Sequence, residues 1–376
     1  VKRLLLVGGG HAHLEVLRQF ALHPMPDQSF EGVLVSSEAS TVYSGMLPGV
    51  IAGHYRTGES QIDLAALVGK AGWRFEPDTL QRLDAASRMA IFASGGRLEY
   101  DLVSFDTGSV ADLSAVQGAA DRSLPLRPML AFLRRWTELV TGAAAGKIGR
   151  IAVVGAGAAG VEVALAMAYR LSAEGGKSAQ CRFALVTDTD TILNTHAPRV
   201  RGTMESILAR RGIELYRYSA VAEVGPDALR TAAGRLIEAD CTVWAAAGTA
   251  PAWPKAAGLT TDGHGYIAVD RQLRSQSHPE VFGGGDIVTL IDDPHPKSGV
   301  FAVRHGPILA ANLRSALLED TAAMRAYVPQ QRALSLISAG NKYAVASWDR
   351  WSVSGRWVWA WKDRIDRRFV ARYSAA

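Results

Sequence analysis

One pattern occurs twice in this chain and constrains its fold more than any other feature. Arg3–Val7 is a short apolar run followed by Gly8-Gly9-Gly10-His11-Ala12-His13 and then by the helix-forming Leu14–Leu22. Arg150–Val154 is a second such run, followed by Gly155-Ala156-Gly157-Ala158-Ala159-Gly160 and by Val161–Leu171. Each copy leads into another apolar run, Gly32–Ser36 and Arg182–Thr187. Strand, glycine turn, helix and strand in that order open the βαβ unit of a dinucleotide-binding fold. The first glycine permits the tight turn, the second admits a pyrophosphate to the backbone, and the third lets helix and strand pack closely. The free N–H groups of the helix start then face the phosphates. One such loop is a weak signal, whereas two in matching context predict two dinucleotide sites, at Gly8, Gly10, His11 and Ala12 and at Gly155, Gly157 and Gly160.

Both units depart from the pattern. His13 stands where the first loop would have its third glycine, and either packs between helix and strand or lies near the phosphates. The acid expected to bind a ribose after the second strand is Glu38 in the first unit, displaced by a long loop over residues 23–31. In the second unit the strand end reads Thr187-Asp188-Thr189-Asp190. Asp188 is the candidate ribose partner, the alternative being a solvated turn. No arginine follows to meet a 2′-phosphate, which favours NADH over NADPH.

Composition sets the remaining bounds. With 376 residues, 48% apolar and 20% charged, the chain is long enough for two domains and a remainder. No apolar stretch is long enough for a transmembrane helix, and Val1–Val7 runs into glycines too soon for a signal peptide. A cytoplasmic location is therefore the expectation. Cys181 and Cys241 are far apart and read as small buried residues. The net charge of +5 is concentrated in residues 341–376, where eight Lys or Arg face three Asp. Leu334–Ile337 and Lys342–Trp348 read as a hairpin around Ala339-Gly340-Asn341. Beyond it Trp361, Ile365, Phe369 and Tyr373 recur every four residues as a helical stripe among Lys362, Arg364, Arg367 and Arg368. Such a segment, residues 355–376, either meets an anionic membrane surface on the cytoplasmic face or packs on the chain itself or a second subunit. No nucleic-acid-binding module is recognisable.

Further motifs carry a resemblance. Asp106-Thr107-Gly108-Ser109, Ala245-Ala246-Ala247-Gly248-Thr249-Ala250-Pro251 and Pro279-Glu280-Val281-Phe282-Gly283-Gly284-Gly285-Asp286, together with the two glycine loops, resemble the ordered signatures of the pyridine nucleotide-disulfide oxidoreductase superfamily. Thr41–Gly49, Ser298–Pro307 and Gly355–Phe369 are most similar to type II NADH dehydrogenases, and to the related module found fused to selenide, water dikinase. The resemblance implies an α/β fold of two Rossmann-like dinucleotide-binding domains with a small α+β C-terminal segment. Residues 1–118 and 262–325 would bind FAD, 119–261 would bind NAD(P)H, and 326–376 would form the hairpin and amphipathic helix. It also implies FAD contacts from Thr107, Gly108, Gly285, Asp286, Phe301 and Ala302, with Asp286 on the ribityl chain, and a contact from Gly248 where the chain leaves the NAD domain.

The implied activity is hydride transfer from NADH or NADPH to FAD, then onward to an acceptor. Disulfide reductases carry a cysteine pair where Thr41–Gly53 has none, and quinone-reducing members carry glutamines where Val300 and Arg304 stand. The acceptor is left open between a quinone and a small selenium or sulfur species. Glu162 resembles the carboxylate directed at the nicotinamide, the alternative being an inter-domain carboxylate. A helix starting near His305-Gly306-Pro307 would put its positive end at the reduced flavin, with Arg304 just before it. The rival reading is a flavin-binding partner protein whose nicotinamide site is degenerate, motivated by Thr187 and His13.

Overall fold

The computed structural model describes residues 1–25, 30–246 and 248–374. Part of the long loop read over 23–31, and Ala247 of the second linking motif, fall outside the described residues. Two five-stranded parallel sheets dominate. In the first, strands Val281–Gly283, Leu102–Phe105, Lys2–Val7, Phe30–Val35 and Arg74–Glu76 lie side by side in that order. In the second the order is Ser123–Pro125, Cys241–Trp244, Arg150–Val154, Arg182–Val186 and Ile213–Tyr216. Both sheets thus have the glycine-loop strand at their centre. Leu4, Leu5 and Leu6, and likewise Ile151, Ala152 and Val153, are wholly buried. Strands covered on both faces read as continuous apolar runs, which is why both were legible.

Each central strand feeds a helix, α1 (His11–Leu22) and α2 (Ala158–Glu174). Both start three residues before the apolar periodicity does, because the loop residues already have helical geometry. The first sheet gains its edge strand Val281–Gly283 only after the second sheet is complete, so the chain passes between the units twice. The two passes pair antiparallel, Val110–Ala111 against Gly248–Thr249.

The C-terminal segment is a three-stranded antiparallel sheet, Ser335–Ser338, Ala344–Trp348 and Trp351–Gly355, capped by a terminal helix. The third strand was absent from the sequence reading; its Trp351 and Val353 are exposed, so no buried alternation marks it. The turn after the first strand presses on α2: a Cβ on Gly340 would lie 2.4 Å from the Leu165 carbonyl oxygen. The stripe expected on the terminal helix is corrected. Trp361 and Ile365 are exposed, and the buried line is Val358, Lys362, Asp366, Val370 and Tyr373. Both lines recur every four residues, but the expected one is set one residue, about 100°, off the packed face, so its first two members face out, Phe369 is half-buried against Tyr43, and Tyr373 is buried.

Gly160 makes the closest approach in the second unit, where a Cβ would stand 1.8 Å from the Gly155 carbonyl oxygen. Gly160→Ala should therefore lose about 3 kcal/mol in urea denaturation. Gly157, with open space around it, should tolerate Ala within about 1 kcal/mol. Equal midpoints for Gly160→Ala and the parent chain would refute the close approach.

Candidate functional site

In both sheets the strand order reverses beside the central strand, and the carboxyl ends there open a crevice, the usual ligand position of such sheets. In the first sheet the crevice lies between Lys2–Val7 and Leu102–Phe105. Gly8 adopts φ +95°, and a Cβ there would be 2.5 Å from the Asp106 carbonyl oxygen. Asp106 follows directly on Leu102–Phe105; its buried carboxylate accepts from the backbone N–H of Ala12 at 2.7 Å and of His13 at 3.2 Å. Burial raises its pKa to about 7, with Asp286 adding to the rise and the two N–H groups opposing it. His13 is wholly buried between α1 and the sheet, its Nδ1 2.6 Å from the Gly8 carbonyl oxygen and its Nε2 2.9 Å from Ser104 Oγ. Burial lowers its pKa to about 4, so it is neutral near pH 7.

The far wall of this crevice is Gly285-Asp286. Gly285 donates its N–H to His305 Nδ1 at 3.1 Å, and Asp286 pairs with Arg127 at 3.3 Å. Arg127 also bonds Ser109. Thr107 is exposed and Gly108 has φ +70°. Glu38 lies at the end of the second strand and pairs with Arg134 at 3.2 Å. Phe301 is buried and stacks on His295 with ring centroids 4.3 Å apart; Ala302 is buried beside Gly285.

The helix carrying these two residues, α3 (Gly299–Leu317), begins six residues earlier than the sequence reading placed it, with Ser298 as its N-cap. Pro307 is inside it, not in its first turn. The missing N–H leaves the Val303 carbonyl unpaired within the helix, which is tolerated because Val303 borders a surface cavity. Arg304 is correspondingly in the second turn and exposed, lining that cavity with Glu15, Tyr327 and Arg372 rather than preceding the helix.

The second crevice is more open. Gly155 has φ +106° and closely approaches Ala246, while Gly157 faces free space. Ala245 follows the strand Cys241–Trp244 at the position Asp106 holds in the first unit, and among the described residues no side chain accepts from the first N–H groups of α2. Asp188 and Asp190 are exposed, whereas Thr187 is buried and bonds Thr189 through the hydroxyls at 2.8 Å. Gly248 packs so closely on Ser109 that a Cβ would be 2.3 Å from its hydroxyl.

A third set of groups lies between the units, under the terminal helix α4 (Arg356–Ser374). Glu162, in the first turns of α2, accepts from the Ser338 N–H at 2.7 Å. Burial raises its pKa to about 7, opposed by Lys362 and reinforced by Asp366. Lys362 donates to the Gly45 carbonyl oxygen at 2.6 Å and to Asp366 at 2.7 Å, both side chains being buried. Asp366 is pushed up by burial and held down chiefly by Lys362, with Tyr43 contributing in the same direction. Tyr43 stacks on Phe369 at 4.1 Å, with the His11 ring edge-on to both. Sequence reasoning missed Lys362, Asp366, Tyr43, Arg127 and Asp106. Lys362 and Asp366 did leave a signal, opposite charges four apart on a line with Val358 and Val370. Cys181 and Cys241 are free thiols at the end of the second sheet away from its glycine loop, and burial raises both pKa values, Cys241 to about 11.

Comparisons with known proteins agree with this architecture. An NADH dehydrogenase-like protein of Mycobacterium tuberculosis is 26% identical over 253 residues, covering 65% of this chain and 62% of the relative. The match thus spans less than two thirds of that protein. Among solved structures, NDH2 of Plasmodium falciparum in complex with NADH superposes with a TM-score of 0.84 at 11% identity, covering 100% of this chain and 97% of that one. The sulfide:quinone oxidoreductase of Aquifex aeolicus superposes with a TM-score of 0.81 at 18% identity, covering 100% and 92%. At such identities these two establish the fold alone. The pyridine nucleotide-disulphide oxidoreductase family model matches residues 2–306. The chain belongs to that family.

Proposed function

We propose that the chain is an FAD-dependent NAD(P)H dehydrogenase, with FAD in the first crevice and the nicotinamide nucleotide in the second. The observation that carries this reading is the pair of equivalent crevices, each with a glycine loop at the switch point of a parallel sheet. When bound, the flavin supplies the redox chemistry, taking a hydride from the nicotinamide and passing electrons to an acceptor.

The chain's own residues bind and orient. Gly8, Gly10, His11 and Ala12 offer backbone to the FAD pyrophosphate. Glu38 and Asp286 serve its two sugar portions, and Thr107, Gly108, Gly285, Phe301 and Ala302 line its path. Gly155, Gly157 and Gly160 do the same for the nicotinamide nucleotide, with Asp188 on its ribose and Gly248 at the exit strand. Two exposed carboxylates at 188 and 190 would repel a 2′-phosphate, so NADH is the donor we favour. Glu162 is held at the interface by Ser338 and can position the nicotinamide end. Cys181 and Cys241 lie at the end of the second sheet away from its glycine loop, which supports a reaction without thiol–disulfide exchange. The acceptor class remains a quinone or a small selenium or sulfur species.

The terminal segment supports a second contact. Trp348, Trp351, Trp357, Trp361 and Ile365 are exposed, and Arg350, Arg356, Arg364 and Arg368 are exposed without an ion-pair partner among the described residues. Aromatic and basic side chains in that mixture suit an anionic bilayer surface. Among the described residues, no helix is long and apolar enough to cross a membrane.

Two measurements test these statements. In anaerobic stopped flow, NADH should bleach the oxidised flavin band faster than NADPH does; a yellow protein that neither bleaches would favour the flavin-binding partner instead. In flotation, vesicles rich in anionic lipid should carry the chain, and replacing Trp351, Trp357 and Trp361 by Ser should leave it at the bottom of the gradient. Flotation unchanged by the triple substitution would remove the membrane contact.

A further inference from the structure

The first crevice holds a carboxyl group of its own. The glycine loop and the Gly285-Asp286 turn converge on the Asp106 carboxylate. A Cβ on Gly10 would lie 2.2 Å from it, and so would one on Gly285. Asp106 is 3% exposed, and its Oδ2 takes the N–H groups of Ala12 and His13 that the start of α1 would otherwise present to a phosphate. The second crevice has the same topology with Ala245 at that place, so the carboxylate is not a demand of the fold.

We infer that Asp106 is the phosphate-seat residue of the FAD site: as a carboxylate it occupies the seat in the cofactor-free chain, and it takes up one proton when FAD binds, so that a carboxylic acid donates to the pyrophosphate. This rests on the reading of the first crevice as the FAD site. The physical reason is charge. A pyrophosphate diester keeps its negative charges across neutral pH, and a carboxylate beside it in a buried crevice would be strongly disfavoured. Protonation removes the repulsion and supplies a donor, O–H to phosphate oxygen.

The groups facing Asp106 come from every element around it. His11 and His13 on α1 are held neutral by burial with pKa values of about 4, and His305 on α3 is held at about 3. Asp286 contributes a like charge, which Arg127 partly offsets. Asp106 itself sits at about 7 in the free chain, and a bound anion moves it higher. Below the free value the proton is already present and FAD affinity is independent of pH. Above it binding must import a proton, so Kd rises with pH by up to about tenfold per unit until the bound-state value is reached.

The test uses the full chain freed of flavin and titrated with FAD, followed by flavin fluorescence from about pH 6 to about pH 9. Calorimetry at about pH 8 in two buffers of different protonation enthalpy gives the protons taken up. The expected result is a flat Kd at the acid end, weakening of about tenfold per unit at the alkaline end, and close to one proton taken up. Asp106→Asn, which donates without titrating, should bind FAD with the same Kd throughout and take up none. A parent chain that binds FAD with a flat Kd and no proton uptake would overturn the inference while leaving the proposed function intact. Persistence of the pH dependence in Asp106→Asn would also overturn it. No FAD binding at any pH would overturn both. If the variant does not fold, the two-buffer comparison on the parent chain decides alone.

Discussion

The contact on which the rest depends is backbone against backbone, where each glycine loop turns off its central strand. Gly8 against Asp106, and Gly155 against Ala246, approach within distances that no side chain could share. That closeness sets where α1 and α2 start, aims their N–H groups into the crevices, and fixes the switch point of each sheet. Both loops place a glycine at φ near +100°, a region where a Cβ is strained, so the turn is specified by residue type and not by packing alone.

The C-terminal segment ties the two units together. Its first turn lies on α2 through Gly340 and Ser338, and its helix reaches back to the first unit through Lys362 on Gly45 and Phe369 on Tyr43. A buried Lys–Asp pair is weak evidence for stability, because desolvation offsets the attraction. Its use here is placement. Lys362 spends two donors on Asp366 and a main-chain carbonyl, which locks the helix in one rotation and keeps a positive charge close to Glu162. Further ties from Tyr55 to Asp363 and from Arg367 to Glu59 hold the same stretch of chain.

Both parallel sheets were legible in the sequence because their central strands are buried on both faces and followed by glycine turns. Much of the site was not, for reasons that differ by residue. Asp106 stands in a motif already singled out, but its burial comes from a second strand and a distant turn closing over it. The start of α3 was misplaced because Pro307 looked like a first-turn proline; Ser298 and Gly299 are the real entry. The stripe on α4 was drawn one residue off the packed face, because that face runs through Lys362 and Asp366, whose charges read as surface. Residues recruited across domains leave little local trace, whereas residues set by the turn they occupy leave a clear one.

The two crevices share a topology and differ in how they treat an anion. The second leaves the first N–H groups of α2 without a side-chain acceptor among the described residues, and Gly157 faces free space. In the first, Asp106 satisfies the helix start, His13 fills the space under the loop, and the terminal helix packs Phe369 against Tyr43 and His11. That asymmetry is written in one position, an aspartate at 106 against an alanine at 245.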